Sequence, residues 1–210
     1  MSLLSLLKSK AITRGLLDPD LELGAAIVFS LVRDMPYQRA SDRNPETITT
    51  EWRGTCSGKH YLLQALFAEL GLNSTVIACT AVTPVNQDQI PEFLIAKYEA
   101  SNRRFVDVHN YLLVDIPGKD NQMIVDATWP LSAQKAGMVV NEEFVLGQDQ
   151  HLAAEPIESW PIPVGRDPQD FKDQILKEYF TTAELEFREL VIAALGEMTS
   201  DQTHNDPYQP

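Results

Sequence analysis

Cys56 stands in the stretch RGTCSGKHYLLQALFAELG (residues 53–71), at the point where a loop runs into a helix. A thiol in a helix's first turn faces unpaired backbone N–H groups and the positive end of the helix dipole. That field favours thiolate over thiol, and so prepares a nucleophile. A buried cysteine that only packs is the competing reading, and position alone does not choose between them. The second cysteine, Cys79, lies among Val76, Ile77 and Val82 in STVIACTAV and reads as core.

A thiolate nucleophile needs a base, and the base an orienting group. His60 follows Cys56 by four residues, one turn along the same helix, and reads as a partly exposed helix histidine. His151 falls in an irregular region and His204 in the tail. His109 sits inside FVDVHNYLLV, where Val106, Val108, Leu112 and Val114 share one strand face and Asp107, His109 and Tyr111 the other. A polar group on a rigid strand suits preorganised catalysis. Asp126, in MIVDATW, is a carboxylate in an apolar, β-branched run, where it must be paired. A two-residue turn at Pro117-Gly118 would place 109 directly across from 126. A wider loop centred on Lys119-Asp120 would offset them by four residues.

The elements that must position these groups follow from start and stop signals. The opening MSLLSLLKSKAITRGLL reads as a short amphipathic helix, since Lys8, Lys10 and Arg14 interrupt any signal-like apolar run. Asp18-Pro19 predicts the start of a helix ending before Pro36, and Asn44-Pro45-Glu46 a short one to about Trp52. The Cys56 helix ends at Gly71, and 74–82 predicts a central strand. Residues 87–104 lean towards helix, and two strands flank PGKDN. Residues 131–166 read mostly as loop, and 168–198 as one helix. A single domain over 1–198 is expected, with 199–210 a disordered tail.

GTCSGKHYLLQALFAELGL resembles the nucleophile helix of the transglutaminase-like superfamily, and VDVHNYLLVDIPGKDNQMIVDATWP its second and third motifs, a strand His and an Asp beyond a short turn. The likeness covers about residues 50–130. Many members carry an aromatic or Ala-Trp after the histidine, where this chain has Asn110-Tyr111. The resemblance implies an α+β, papain-like core with the nucleophile helix packed on an antiparallel sheet. It makes Cys56 the nucleophile, His109 the base and Asp126 the orienting acid. The oxyanion donors would be the Cys56 N–H and an upstream side chain, for which Trp52 and Gln38 are the candidates.

Composition narrows the rest. The chain has 210 residues and a formal net charge of -13, which repels nucleic acid and anionic membranes. Two cysteines and four scattered histidines make neither a disulfide framework nor a metal site. No cofactor or metal is expected, and no stretch approaches a membrane span. A cytoplasmic protein with reduced thiols is the expectation. The reaction expected is acyl transfer at a peptide or protein amide, with hydrolysis favoured. A transglutaminase-type acyltransferase stays open, as does a scaffold that keeps the three residues without turnover. An arylamine acetyltransferase-like enzyme is a further alternative, although TCSGKH does not suggest it.

Overall fold

The computed structural model describes residues 1–200 except Asn86 and Val164. Its architecture is α+β. Four antiparallel strands, β1 (Ser74–Pro84), β2 (Arg104–Asp115), β3 (Gln122–Val125) and β4 (Ser159–Pro161), pair in the order β3-β2-β1-β4. Among the described residues, seven α-helices surround them: α1 (Leu3–Thr13), α2 (Ala25–Arg33), α3 (Pro45–Glu51), α4 (Cys56–Glu69), α5 (Ile95–Ala100), α6 (Pro168–Tyr179) and α7 (Thr182–Ser200). The helix that begins at Cys56 packs on β1 and β2, while α6 and α7 also pack on β2. No described helix is long and apolar enough to cross a membrane.

The main core lies between α1, α2, α4 and the sheet, around Leu7, Phe29, Leu62, Leu66, Phe67 and Leu112. Burial of such side chains is worth about 1.5–3 kcal/mol each before entropy is counted. β2 is buried continuously from Val106 to Leu112, polar residues included. A strand covered on both faces must satisfy each polar side chain inside the protein. For β2 those side chains are Asp107, His109 and Asn110.

Several expectations are corrected. Asp18 does not start a helix: its Oδ1 accepts from the Asp20 N–H at 2.9 Å in a local turn, and α2 begins only at Ala25, after Gly24. The 168–198 segment is two helices, broken at Phe180-Thr181. Thr181 and Glu184 exchange backbone-to-side-chain hydrogen bonds at 2.8 and 3.3 Å, a capping box that restarts the helix. The loop region contains an unpredicted edge strand, β4, paired to β1. α7 continues to Ser200, inside the expected tail, and the rest of that tail, 201–210, lies outside the described residues.

Candidate active site

β2 and β3 pair Leu112 with Val125 and Asp115 with Gln122, a register between the two that the turn sequence allowed. Continued beyond the strand end, it sets residue 126 opposite Tyr111, so Asp126 is the diagonal neighbour of His109. A diagonal separation of roughly 7–8 Å is within reach of an imidazole and a carboxylate together. His109 Nε2 and Asp126 Oδ2 are 2.8 Å apart. The other ring nitrogen, Nδ1, is left for the Cys56 thiol, whose pKa the histidine lowers and which in turn raises that of the histidine. Cys56, His109 and Asp126 are thus brought together, each less than 5% exposed.

The backbone around Asp126 explains how the carboxylate is held. Its Oδ2 also accepts from the Ala153 N–H at 2.8 Å, and its Oδ1 from the Thr128 N–H at 3.0 Å. Asn141 donates from Nδ2 to the Asp126 carbonyl, while Gln150 Oε1 accepts from the Asp126 N–H. The irregular segment 141–153 is therefore a clamp on one aspartate. Burial alone would raise the Asp126 pKa. The His109 charge and hydrogen bond outweigh burial and hold the carboxyl below the usual range. Burial likewise opposes protonation of His109, yet the Asp126 charge and hydrogen bond raise it to about 10.

The cysteine end is held from other directions. Gly58 lets α4 lie against α3: a Cβ there would stand 2.6 Å from Ile48 Cδ1. Ser57 Oγ donates to Asn110 Oδ1 at 2.9 Å, and Asn110 Nδ2 donates to the Ile77 carbonyl, tying α4 to β2 and β1. Asn110 is thus an anchor of the cysteine helix.

His60 is fully buried, against the expectation of a partly exposed residue. Its Nε2 faces the Ala127 N–H at 2.9 Å and must accept; Nδ1 then carries the proton and donates to the Cys56 carbonyl at 2.7 Å. Burial keeps this histidine neutral, with a pKa lowered to about 4. It buttresses the Cys56 and Asp126 segments against each other. Buried Lys59 donates to the Arg33 and Thr128 carbonyls at 2.7 and 3.0 Å, and burial lowers it to about 7.

Trp52 and Gln38 are placed elsewhere. Trp52 ends α3 in a left-handed conformation (φ 57°) and packs into the core, with the Arg14 guanidinium over its ring. Gln38 is exposed, its Oε1 accepting from Arg53 Nη1 at 3.4 Å. The neighbouring Tyr37 is the residue of this loop that comes to the site. It is buried and packs on Trp129, and burial, then the negative charges of Cys56 and Asp107, raise its phenol pKa. A cavity of about 340 Å³ opens beside His109, walled by Tyr37, Phe105, Asp107, Trp129, Val191 and Leu195.

Sequence reasoning also missed a charged group beside the sulfur. Lys172 Nζ, on α6, lies 3.8 Å from Cys56 Sγ and donates to Ser57 Oγ at 3.0 Å. It stands 3.6 Å from Asp107 Oδ1, which is bound at 2.6–2.8 Å by Arg188 of α7. Burial pushes the Cys56 thiol up; the Lys172 charge, then the His109 hydrogen bond, bring it down to about 7. Cys79 has no such company, and burial pushes it up to about 12. Among the described residues, no group of three or more His, Cys, Asp or Glu could hold a metal ion.

No protein-family model matches the chain. No curated protein matches it either. Among solved structures it is similar to an M. smegmatis arylamine N-acetyl transferase, at 20% identity and a TM-score of 0.29. The similarity covers 49% of this chain and 33% of that one, so the chain spans about a third of that protein's length.

Proposed function

We propose that the protein is a cysteine-dependent acyl-transfer enzyme acting on a peptide or protein amide. The observation that carries this reading is the buried series Cys56–His109–Asp126, with the 2.8 Å imidazole–carboxylate bond at one end and a lowered thiol at the other. Cys56 Sγ, as thiolate, attacks the amide carbon. The oxyanion that forms meets the Cys56 N–H, which has no acceptor within its own helix at this first position. The His109 imidazolium gives its Nδ1 proton to the leaving amine, the C–N bond breaks, and a thioester remains. His109, now neutral, takes a proton from the acceptor that attacks the thioester, releasing the acyl product and restoring the thiolate. Asp126 stays ionised and fixes the ring. Water is the acceptor we propose, because it needs no second organic site; an added primary amine captured in the product would identify a transferase instead.

A second reading, a module that keeps the three residues without turnover, is favoured by one observation: Cys56 is only 2% exposed. Alkylation by a small haloacetamide separates the two. The reactive-thiol reading expects modification of Cys56 to rise through about pH 7, and His109→Ala to move that rise upward. A wild-type thiol that titrates near ~8.5, like a free cysteine, sinks the acyl-transfer proposal.

A further inference from the structure

The buried charges around Cys56 do not balance while the thiol is protonated. The titratable groups that face or influence the sulfur are His109 and Asp107 from β2, Lys172 from α6, Arg188 from α7, Lys59 and Tyr61 from α4, Cys79 from β1 and Tyr37 from the loop before α3. Burial raises the two phenols and the Cys79 thiol, keeping them neutral. His109 is matched by Asp126 at 2.8 Å. Lys59 spends its donors on two backbone carbonyls. Among the buried ionised side chains, the two cations Lys172 and Arg188 share the one buried carboxylate of Asp107, and the half-exposed Glu189 that also meets Arg188 is itself shared with Arg39.

That sharing is unequal. Asp107 Oδ1 already accepts Arg188 Nε at 2.8 Å, Arg188 Nη2 at 2.6 Å and the Val108 N–H at 2.8 Å. Arg188 also pairs with Glu189 at 2.6 Å. Lys172 stands further off, at 3.6 Å; its closer neighbour is the neutral Ser57 hydroxyl at 3.0 Å, and the Cys56 sulfur lies at 3.8 Å, about as near as the carboxylate. An ammonium group 3% exposed, beside a carboxylate engaged elsewhere, is a costly arrangement without another anion. The sulfur is the atom in contact that can supply one.

We infer that Lys172 is a further catalytic residue, its ammonium group being the counter-ion of the Cys56 thiolate. The inference rests on Cys56 being the nucleophile proposed above. Its place is also directional: Lys172 donates to Ser57, Ser57 to Asn110 and Asn110 to the Ile77 carbonyl, so the ammonium is fixed by a chain of bonds ending in the sheet. Negative charge passes from sulfur to the carbonyl oxygen during attack, within the same field. Lys172 therefore raises the population of thiolate more than it speeds each thiolate's attack. A thiolate stabilised in this way is intrinsically the weaker nucleophile.

This reasoning defines the test, the pH profile of haloacetamide alkylation at Cys56 in the full chain. Lys172→Met is expected to raise the inflection by about one unit, a roughly threefold slower reaction near pH ~6.5, the lost thiolate being partly offset by its greater nucleophilicity. Above about pH 9.5 the variant should equal or exceed wild type, which a merely structural defect would not produce. Lys172→Arg, which keeps the charge, should recover most of the low-pH rate. A wild-type inflection in Lys172→Met overturns the assignment and leaves the acyl-transfer proposal standing, whereas a wild-type thiol inflecting near ~8.5 removes that proposal first. Should Lys172→Met not fold, Asp107→Asn reads the same balance with opposite sign. Removing the competing anion should lower the inflection, and an unchanged or raised one overturns the inference.

Discussion

At the scale of single residues, the site shows how identity follows from what a neighbour is able to donate. Asp126 receives only donors: the His109 ring, the Ala153 N–H and the Thr128 N–H. A carboxylate accepts all three, whereas an amide cannot. Asp126→Asn would turn its –NH2 towards one of these donors or towards the His109 ring, and it removes the charge that keeps the imidazolium. If the chain turns over amides as proposed, this change should cost roughly 10³–10⁴-fold in kcat, through the wrong ring tautomer and a lost ion pair. It should also lower the upper pH limit of activity from about 10, because His109 owes its raised value chiefly to Asp126. An unchanged upper limb measured on the purified variant would show that Asp126 does not set the imidazole's proton. The same logic separates Tyr37 from its neighbour Gln38. Both lie in one loop after α2, but the phenol is buried against Trp129 while the amide stays at the surface with Arg53.

At the scale of elements, the cysteine's position depends on how closely α4 approaches α3. Gly58 makes that approach possible, since an added methyl would lie 2.6 Å from Ile48 Cδ1 and 3.2 Å from its Cγ1. Ile48 is buried, so its far end has little room to swing away. Gly58→Ala gains up to about 1 kcal/mol of helix propensity and meets an overpacking cost of about 1–3 kcal/mol. A net loss of about 1 kcal/mol in denaturant unfolding is expected. Ile48→Val alone should cost about 0.5–1.5 kcal/mol by leaving a cavity. Combined with Gly58→Ala it should cost little, because the new methyl fills that space. Additive losses in the double-mutant cycle would refute the steric account. The caps and strands around this contact were legible. Asn44-Pro45 starts α3, Cys56 starts α4, and the β-branched run at 74–82 is an inner strand, because each signal acts within a few residues. Asp18-Pro19 misled, since its Asx turn closes just as well without a helix after it. The break at Thr181 was present as a Thr-x-x-Glu capping box, masked by the helical spacing on either side.

At the scale of the whole molecule, the site is assembled from segments far apart in sequence. α4, β2, the clamp at 141–153, α6 and α7 all meet around Cys56. Cys56, His109 and Asp126 could be singled out because residue type and order carry chemistry by themselves. Lys172 and Arg188 could not, because a lysine or arginine on a helix is ordinarily solvated. A signal was nevertheless there: Lys172 shares an i, i+3, i+4 stripe with Ile175 and Leu176, and a cation inside an apolar stripe must find its counter-charge within the fold. The buried titratable groups together set the acid stability of the chain. Below about pH 5.5, Cys56, Lys59 and His109 bind the same protons folded and unfolded, since their folded values lie near 7, 7 and 10 and an unfolded histidine titrates at ~6.5. His60 is the exception. Its folded value is about 4 against about 6.5 unfolded, so the unfolded chain binds one more proton between those limits and stability falls as pH falls. The loss should be on the order of 3 kcal/mol. Below about pH 4 the lowered carboxylates Asp107 and Asp126 take over, with stability lost as each is protonated. The unfolding free energy should therefore fall in two stages. His60→Gln can accept from Ala127 or donate to the Cys56 carbonyl without titrating, so it should flatten the first stage and leave the second. A first stage that persists in His60→Gln would show that the buried neutral imidazole is not its source.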